Sequence, residues 1–79
     1  MPSFVIWDVA FDERNRHATN RATEAQIRSV LFGTIEAARN RKGRSASYLY
    51  RGVADDGSHW TVVFDYDPAT QTARPITAF

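Results

Sequence analysis

Cysteine is absent from the 79 residues, so neither a disulfide framework nor a thiolate zinc site is available to the chain. Histidine is almost as scarce. His17 and His59 are the two present, too few for a usual zinc shell. No metal and no cofactor are expected. Long hydrophobic runs are missing too: no apolar stretch approaches the ~18 residues that point to a membrane-spanning helix. The opening Met1-Pro2-Ser3-Phe4 lacks the basic and then apolar regions of a secretory signal. The expectation is a cytoplasmic protein without a membrane partner. Repeats, Pro- or Gly-rich linkers, a glycine-rich phosphate loop and a Ser-His-Asp signature are likewise lacking.

What is there is the composition of an ordinary soluble globular chain, 43% hydrophobic and 24% charged. Residues 1–79 are read as one domain. A domain this small buries only ~60% of its unfolded surface. Its core is thin, and stability has to come from close packing or from a partner.

The net charge of +1 hides a division along the chain. From Arg14 to Arg51 nine basic residues (Arg14, Arg16, Arg21, Arg28, Arg39, Arg41, Lys42, Arg44 and Arg51) stand against Glu24 and Glu36. The flanks carry seven carboxylates against Arg74. Several arginines facing one polyanion supply salt-sensitive affinity for nucleic acid, although a charge run is also commonly a solvated face. Arg39, Arg41, Lys42 and Arg44 surround Gly43, where the chain is expected to turn into a tyrosine-bearing strand.

Phe4 to Trp7 reads as a strand, being β-branched and aromatic. Asp8 or Asp12 can cap a short polar helix from Glu13 to Asn20. Thr23-Glu24-Ala25-Gln26 is a capping box, and Ile27, Val30 and Leu31 form one apolar stripe, so a second helix is predicted from Glu24 to Phe32, closed by Gly33. Beyond it the period becomes two. Thr34 to Arg39, Ser45 to Val53, His59 to Tyr66 and Thr72 to Thr77 read as a meander, with turns at Lys42-Gly43, Asp55-Asp56-Gly57 and Asp67 to Thr70. Pro75 deletes a ladder donor, which places the last strand at an edge. The expected fold is α+β: a small antiparallel sheet with two helices on one face, in the order βααββββ.

The Asp55-Asp56-Gly57 turn decides which side chains leave the core. A two-residue turn puts Arg51 among Trp60, Val62 and Phe64, burying an unpaired charge. A three-residue loop with Gly57 left-handed instead gathers Tyr48 and Tyr50 with those three, leaving Ser47, Arg51, His59, Thr61 and Asp65 outside. The second register is preferred. It makes the tyrosines core residues and sets His59 beside Arg51 on an exposed face, near a rim built from Arg39, Arg41, Lys42 and Arg44. Metal-free RNA cleavage needs a base for the 2′-hydroxyl proton and a cation for charge on the phosphate, and His59 with Arg51 offers both. The bland reading is a surface histidine beside an arginine that pairs with Asp65.

Asp12, Asn15 and His17 ahead of the run Thr23 to Gly33, then Arg41-Lys42-Gly43, Tyr48 to Gly52, Asp56-Gly57, Val62-Val63 and Ile76-Thr77-Ala78 together resemble the BrnT-type toxins. The resemblance covers nearly the whole chain. It implies a RelE-like ribonuclease fold and a small metal-independent endoribonuclease of a bacterial type II toxin-antitoxin module, held inactive by a cognate antitoxin. The expected partners are therefore RNA and an antitoxin, with a second copy of the chain as another stabilising partner. Three positions depart from the family pattern, in which a histidine commonly follows the helix asparagine at a slightly longer spacing than Asn15 to His17. Ser58 stands where a basic residue often follows the Asp-Gly turn, and Phe79 where an arginine follows the final Ile-Thr-Ala. Arg44, Arg51, His59 and Arg74 are the residues available in their place. The rival function is a non-catalytic module, encoded by a phage or mobile element in one version, that docks RNA or protein through the same basic rim.

Overall fold

A computed structural model describes residues 3–11, 21–39 and 48–79. Strands dominate them. In chain order they form β1 (Ser3–Ile6), β2 (Asp8–Val9), α1 (Glu24–Leu31), β3 (Gly33–Glu36), β4 (Ala38–Arg39), β5 (Tyr48–Val53), β6 (His59–Asp67) and β7 (Thr72–Ala78). β1 and β3 make a two-stranded antiparallel sheet. The remaining strands form a five-stranded sheet in the order β2-β7-β6-β5-β4.

The RelE-like arrangement implied by the resemblance, two helices on an antiparallel sheet in the order βααββββ, is overturned. The described residues contain one short helix, the larger sheet is mixed because β2 runs parallel to β7, and the first strand belongs to a separate sheet. The helix expected from Glu13 to Asn20 lies outside the described residues. The cause of the split is a break in alternation. Ile6 and Val9 are both buried, and two residues three apart cannot share one face of a continuous strand. A break at Trp7 allows both inside: β1 ends there, the Trp7 amide donates to the Gln71 carbonyl at 2.9 Å, and Val9 turns inward beside Ala73.

α1 forms where its capping box predicts. The Gln26 amide donates to Thr23 Oγ1 at 3.2 Å, and the Thr23 amide to Gln26 Oε1 at 2.8 Å. Ile27, Val30 and Leu31 are its buried stripe. Phe32 is the extended C-cap rather than a helical residue, and Gly33 takes a φ of 98°. The predicted strand from Thr34 to Arg39 is divided: Ile35 and Ala37 are both buried, as alternation requires, but at Ala37 the chain passes from the small sheet to the large one.

β5 and β6 pair in the preferred register, with Tyr48 opposite Phe64, Tyr50 opposite Val62 and Gly52 opposite Trp60. The loop is the three-residue one. The Ala54 amide donates to the Ser58 carbonyl at 2.8 Å, the Gly57 amide to the Ala54 carbonyl at 2.9 Å, and Gly57 has a φ of 86°. α1 packs over the inner face of this hairpin so closely that a Cβ on Gly52 would lie 3.0 Å from Val30 Cγ1 and 2.7 Å from the Tyr50 ring. Phe4 closes the same layer from β1. Its ring stacks on Tyr66 with centroids 4.4 Å apart and meets Tyr48 edge-on at 4.7 Å. The tyrosines are packing residues, and Tyr66 also donates its hydroxyl to the Val5 carbonyl at 2.9 Å.

β7 is not an edge strand, because β2 flanks it. Pro75 is nonetheless tolerated there for local reasons. β2 reaches only Thr72 and Ala73, and the β6–β7 register shifts between Val63 and Phe64, so the missing amide falls beyond the end of β2 and at a bulge. Among the described residues no helix is long and apolar enough to cross a membrane.

Candidate functional site

Strand alternation sends Leu49, Arg51 and Val53 of β5, and His59, Thr61, Val63 and Asp65 of β6, to the face away from α1. On that face Arg51 sits opposite Thr61, and Val53 opposite His59. Arg51 and His59 are thus diagonal neighbours across the hairpin, a relation within reach of long side chains. Both are exposed. Arg51 Nε donates to Thr61 Oγ1 at 3.4 Å, a long bond that holds the guanidinium stem over the strand.

Phe79 completes this end of the sheet. It continues β7 by one residue, exchanging both backbone hydrogen bonds with Thr61 at 2.7 and 2.9 Å, while the residue remains 60% exposed. Arg51, His59, Trp60, Thr61 and Phe79 line one shallow depression of about 400 Å³. Its lining holds a guanidinium, an imidazole, a hydroxyl and an aromatic ring, and among the described residues no carboxylate side chain. Such a set suits an anionic ligand with an apolar, flat portion.

The other basic residues singled out from the sequence are dispersed. Arg74 is the register partner of Asp65, four residues along β6 from Thr61 and therefore roughly 13 Å away at ~3.3 Å per residue. Asp65 is thus set opposite Arg74 and not opposite Arg51. Arg39 ends β4 opposite Tyr48, in the row of residues that alternates to the inner face. Arg41, Lys42, Arg44 and His17 lie outside the described residues.

A second concavity, of about 310 Å³, runs between the start of α1 and the β5–β6 loop, lined by residues including Thr23, Gln26, Ser29 and Asp56. Its polar groups engage one another. Gln26 Nε2 donates to Asp56 Oδ2 at 2.7 Å, Ser58 donates to Asp56 Oδ1 through its hydroxyl at 2.5 Å and its amide at 3.0 Å, Trp60 Nε1 donates to Ser58 Oγ at 2.8 Å, and the Asp55 amide donates to Ser29 Oγ at 3.1 Å. The Ser58 hydroxyl and amide, followed by Gln26, hold the Asp56 carboxyl down at about 2 against an ordinary 3.8. This is a structural seam. Ser58 is committed to it.

Phe79 was not legible as a site residue, and the bulge explains why. Counting alternately from outward-facing Arg74 puts Phe79 inside. The extra residue in β7 reverses the parity, so that Ala78 turns inward opposite Val62 and Phe79 outward beside Thr61. No protein-family profile, no curated protein and no solved structure matches the chain.

Proposed function

We propose that the chain acts on RNA through the sheet face away from α1, as a metal-independent endoribonuclease of the kind found in bacterial toxin-antitoxin modules. The observation that carries this reading is the diagonal placement of Arg51 and His59, both exposed, on the face of the β5–β6 hairpin away from α1. In this mechanism the Arg51 guanidinium holds a phosphate, and the His59 imidazole accepts the 2′-hydroxyl proton. The 2′-oxygen attacks phosphorus, the bond to the 5′-oxygen breaks, and the departing oxygen takes a proton from solvent, leaving a 2′,3′-cyclic phosphate and a 5′-hydroxyl. A cognate antitoxin silences the enzyme by covering this face.

The test is induced expression in a bacterial host, following growth and the 5′ ends of cellular RNA, with His59→Ala and Arg51→Ala as controls. The expected result is growth arrest with new RNA ends, both lost in each variant. Normal growth and intact RNA from soluble, folded protein would refute the enzyme.

One observation favours a second reading. Among the described residues the depression brings one imidazole and one guanidinium but no second side chain suited to protonating the leaving oxygen. A non-catalytic RNA-binding module needs no such group. For it, Arg51→Ala weakens binding, His59→Ala has little effect, and RNA incubated with the protein stays whole.

A further inference from the structure

We infer that Phe79 is a stacking platform for an unpaired base, so that the ligand of this face is single-stranded RNA. The inference rests on the RNA reading above and goes beyond it by naming the strandedness and the residue that reads it. Three features lead to it. The Phe79 backbone is fixed by its paired hydrogen bonds to Thr61, so the ring projects from a rigid strand and loses little freedom on binding. Phe79 is 60% exposed, which leaves its aromatic face open to a ligand. It also shares its depression with Arg51 and His59, and among the described residues no carboxylate side chain lines it, so a guanidinium stands in the same depression as the aromatic face.

A nucleotide matches that set in both its parts. Its phosphate suits the guanidinium, and its base suits the phenyl ring, since every base offers a flat face. A duplex cannot use the ring in this way, because its bases are already stacked on one another. A protein partner would bury the ring equally well, but the charge at its side favours a polyanion.

The experiment uses the whole chain with a 2′-O-methyl RNA oligonucleotide, which lacks the attacking hydroxyl, carrying one 2-aminopurine as a fluorescent base. Wild-type protein is expected to bind it and to quench the fluorophore, and to bind a duplex of equal length more weakly. Phe79→Leu keeps apolar bulk without a ring. It should bind about 5- to 160-fold more weakly, the range for loss of one stacked base, and should not quench. Phe79→Trp should retain both signals. Thermal melts establish that each variant is folded.

If Phe79→Leu binds and quenches like the wild type while Arg51→Ala weakens binding, the stacking role is wrong and the RNA reading stands. Equal affinity for single strand and duplex also overturns stacking. Absence of binding by the wild type at low salt removes the RNA reading, and this inference with it. A Phe79→Leu chain that binds RNA normally but loses a co-purifying protein reassigns the ring to a protein interface.

Discussion

Gln26 Nε2 and Asp56 Oδ2 are joined by a 2.7 Å hydrogen bond that ties the first turn of α1 to the tip of the β5–β6 hairpin. Gln26 spends its side-chain carbonyl on the helix cap and its side-chain amide on the loop. One residue therefore fixes both the start of the helix and its position over the sheet.

The pH dependence of stability follows from Asp56. Its carboxyl lies at about 2 when folded, held there by Ser58 and then Gln26, against an ordinary 3.8. A carboxyl whose folded value is depressed contributes stability that is fully present above 3.8 and is lost as pH falls through about 2. The difference in melting temperature between wild type and Asp56→Asn should therefore narrow as pH falls from roughly 4 to 2. A difference that stays constant over that range would show that the Ser58 and Gln26 bonds do not favour the ionised form.

Thr23→Ala removes the acceptor for the Gln26 amide and should cost about 1 kcal/mol. In a domain of this size that is a fall of ~4 to 8 °C in melting temperature. Thr23→Ser, which keeps the acceptor, should recover most of it. An alanine variant that melts with the wild type would show the cap to be redundant with the loop contacts.

Phe64 is fully buried and clusters with the Phe4 and Tyr48 rings, at 6.5 and 6.2 Å between centroids. Phe64→Ala should cost about 3 to 5 kcal/mol, against a total of ~5 to 15 for a small domain. We expect a chain that is partly or wholly unfolded at 37 °C, read by near-ultraviolet circular dichroism. A native signal at that temperature would mean that the aromatic layer closes over the space.

Gly52 and Gly57 should tolerate alanine for different lengths of reach. Gly57→Ala meets nothing within 4 Å and pays only for its φ of 86°, about 1 to 2 kcal/mol. Gly52→Ala drives a methyl against Tyr50 and Val30, about 1 to 3 kcal/mol. In denaturant titrations, Tyr50→Leu should relieve the Gly52 cost and leave the Gly57 cost unchanged. Equal coupling to both would contradict the packing seen over Gly52.

The hairpin and the helix start were legible because local chemistry decides them. Burying Arg51 excludes one β5–β6 register, Gly57 supplies the left-handed residue of the other, and Thr23 with Gln26 marks a helix end that few other structures could use. The Arg51 and His59 pair was legible for the same reason, since it follows from the register. What could not be read was pairing between distant segments. Nothing near Phe4 announces that β1 will choose β3, and nothing near Asp8 announces a parallel partner in β7. Pro75 misled for a related reason: it excludes a hydrogen bond at one position, but β2 is too short to need it there. The same bulge that accommodates Pro75 reversed the parity of Phe79 and hid it.

The parallel pairing of Asp8 and Val9 with Thr72 and Ala73 also bears on how the protein is made. Synthesis proceeds from the amino end, so β2 emerges from the ribosome long before the strand it needs. Until β7 follows, Val9 lacks the strand it pairs with. Pairings of such long sequence separation are slow to form because the closing chain loses entropy before contacts reward it. Completion of the large sheet is therefore a late event in the life of each molecule, and a growing chain halted before Thr72 carries a depression without its Phe79 wall.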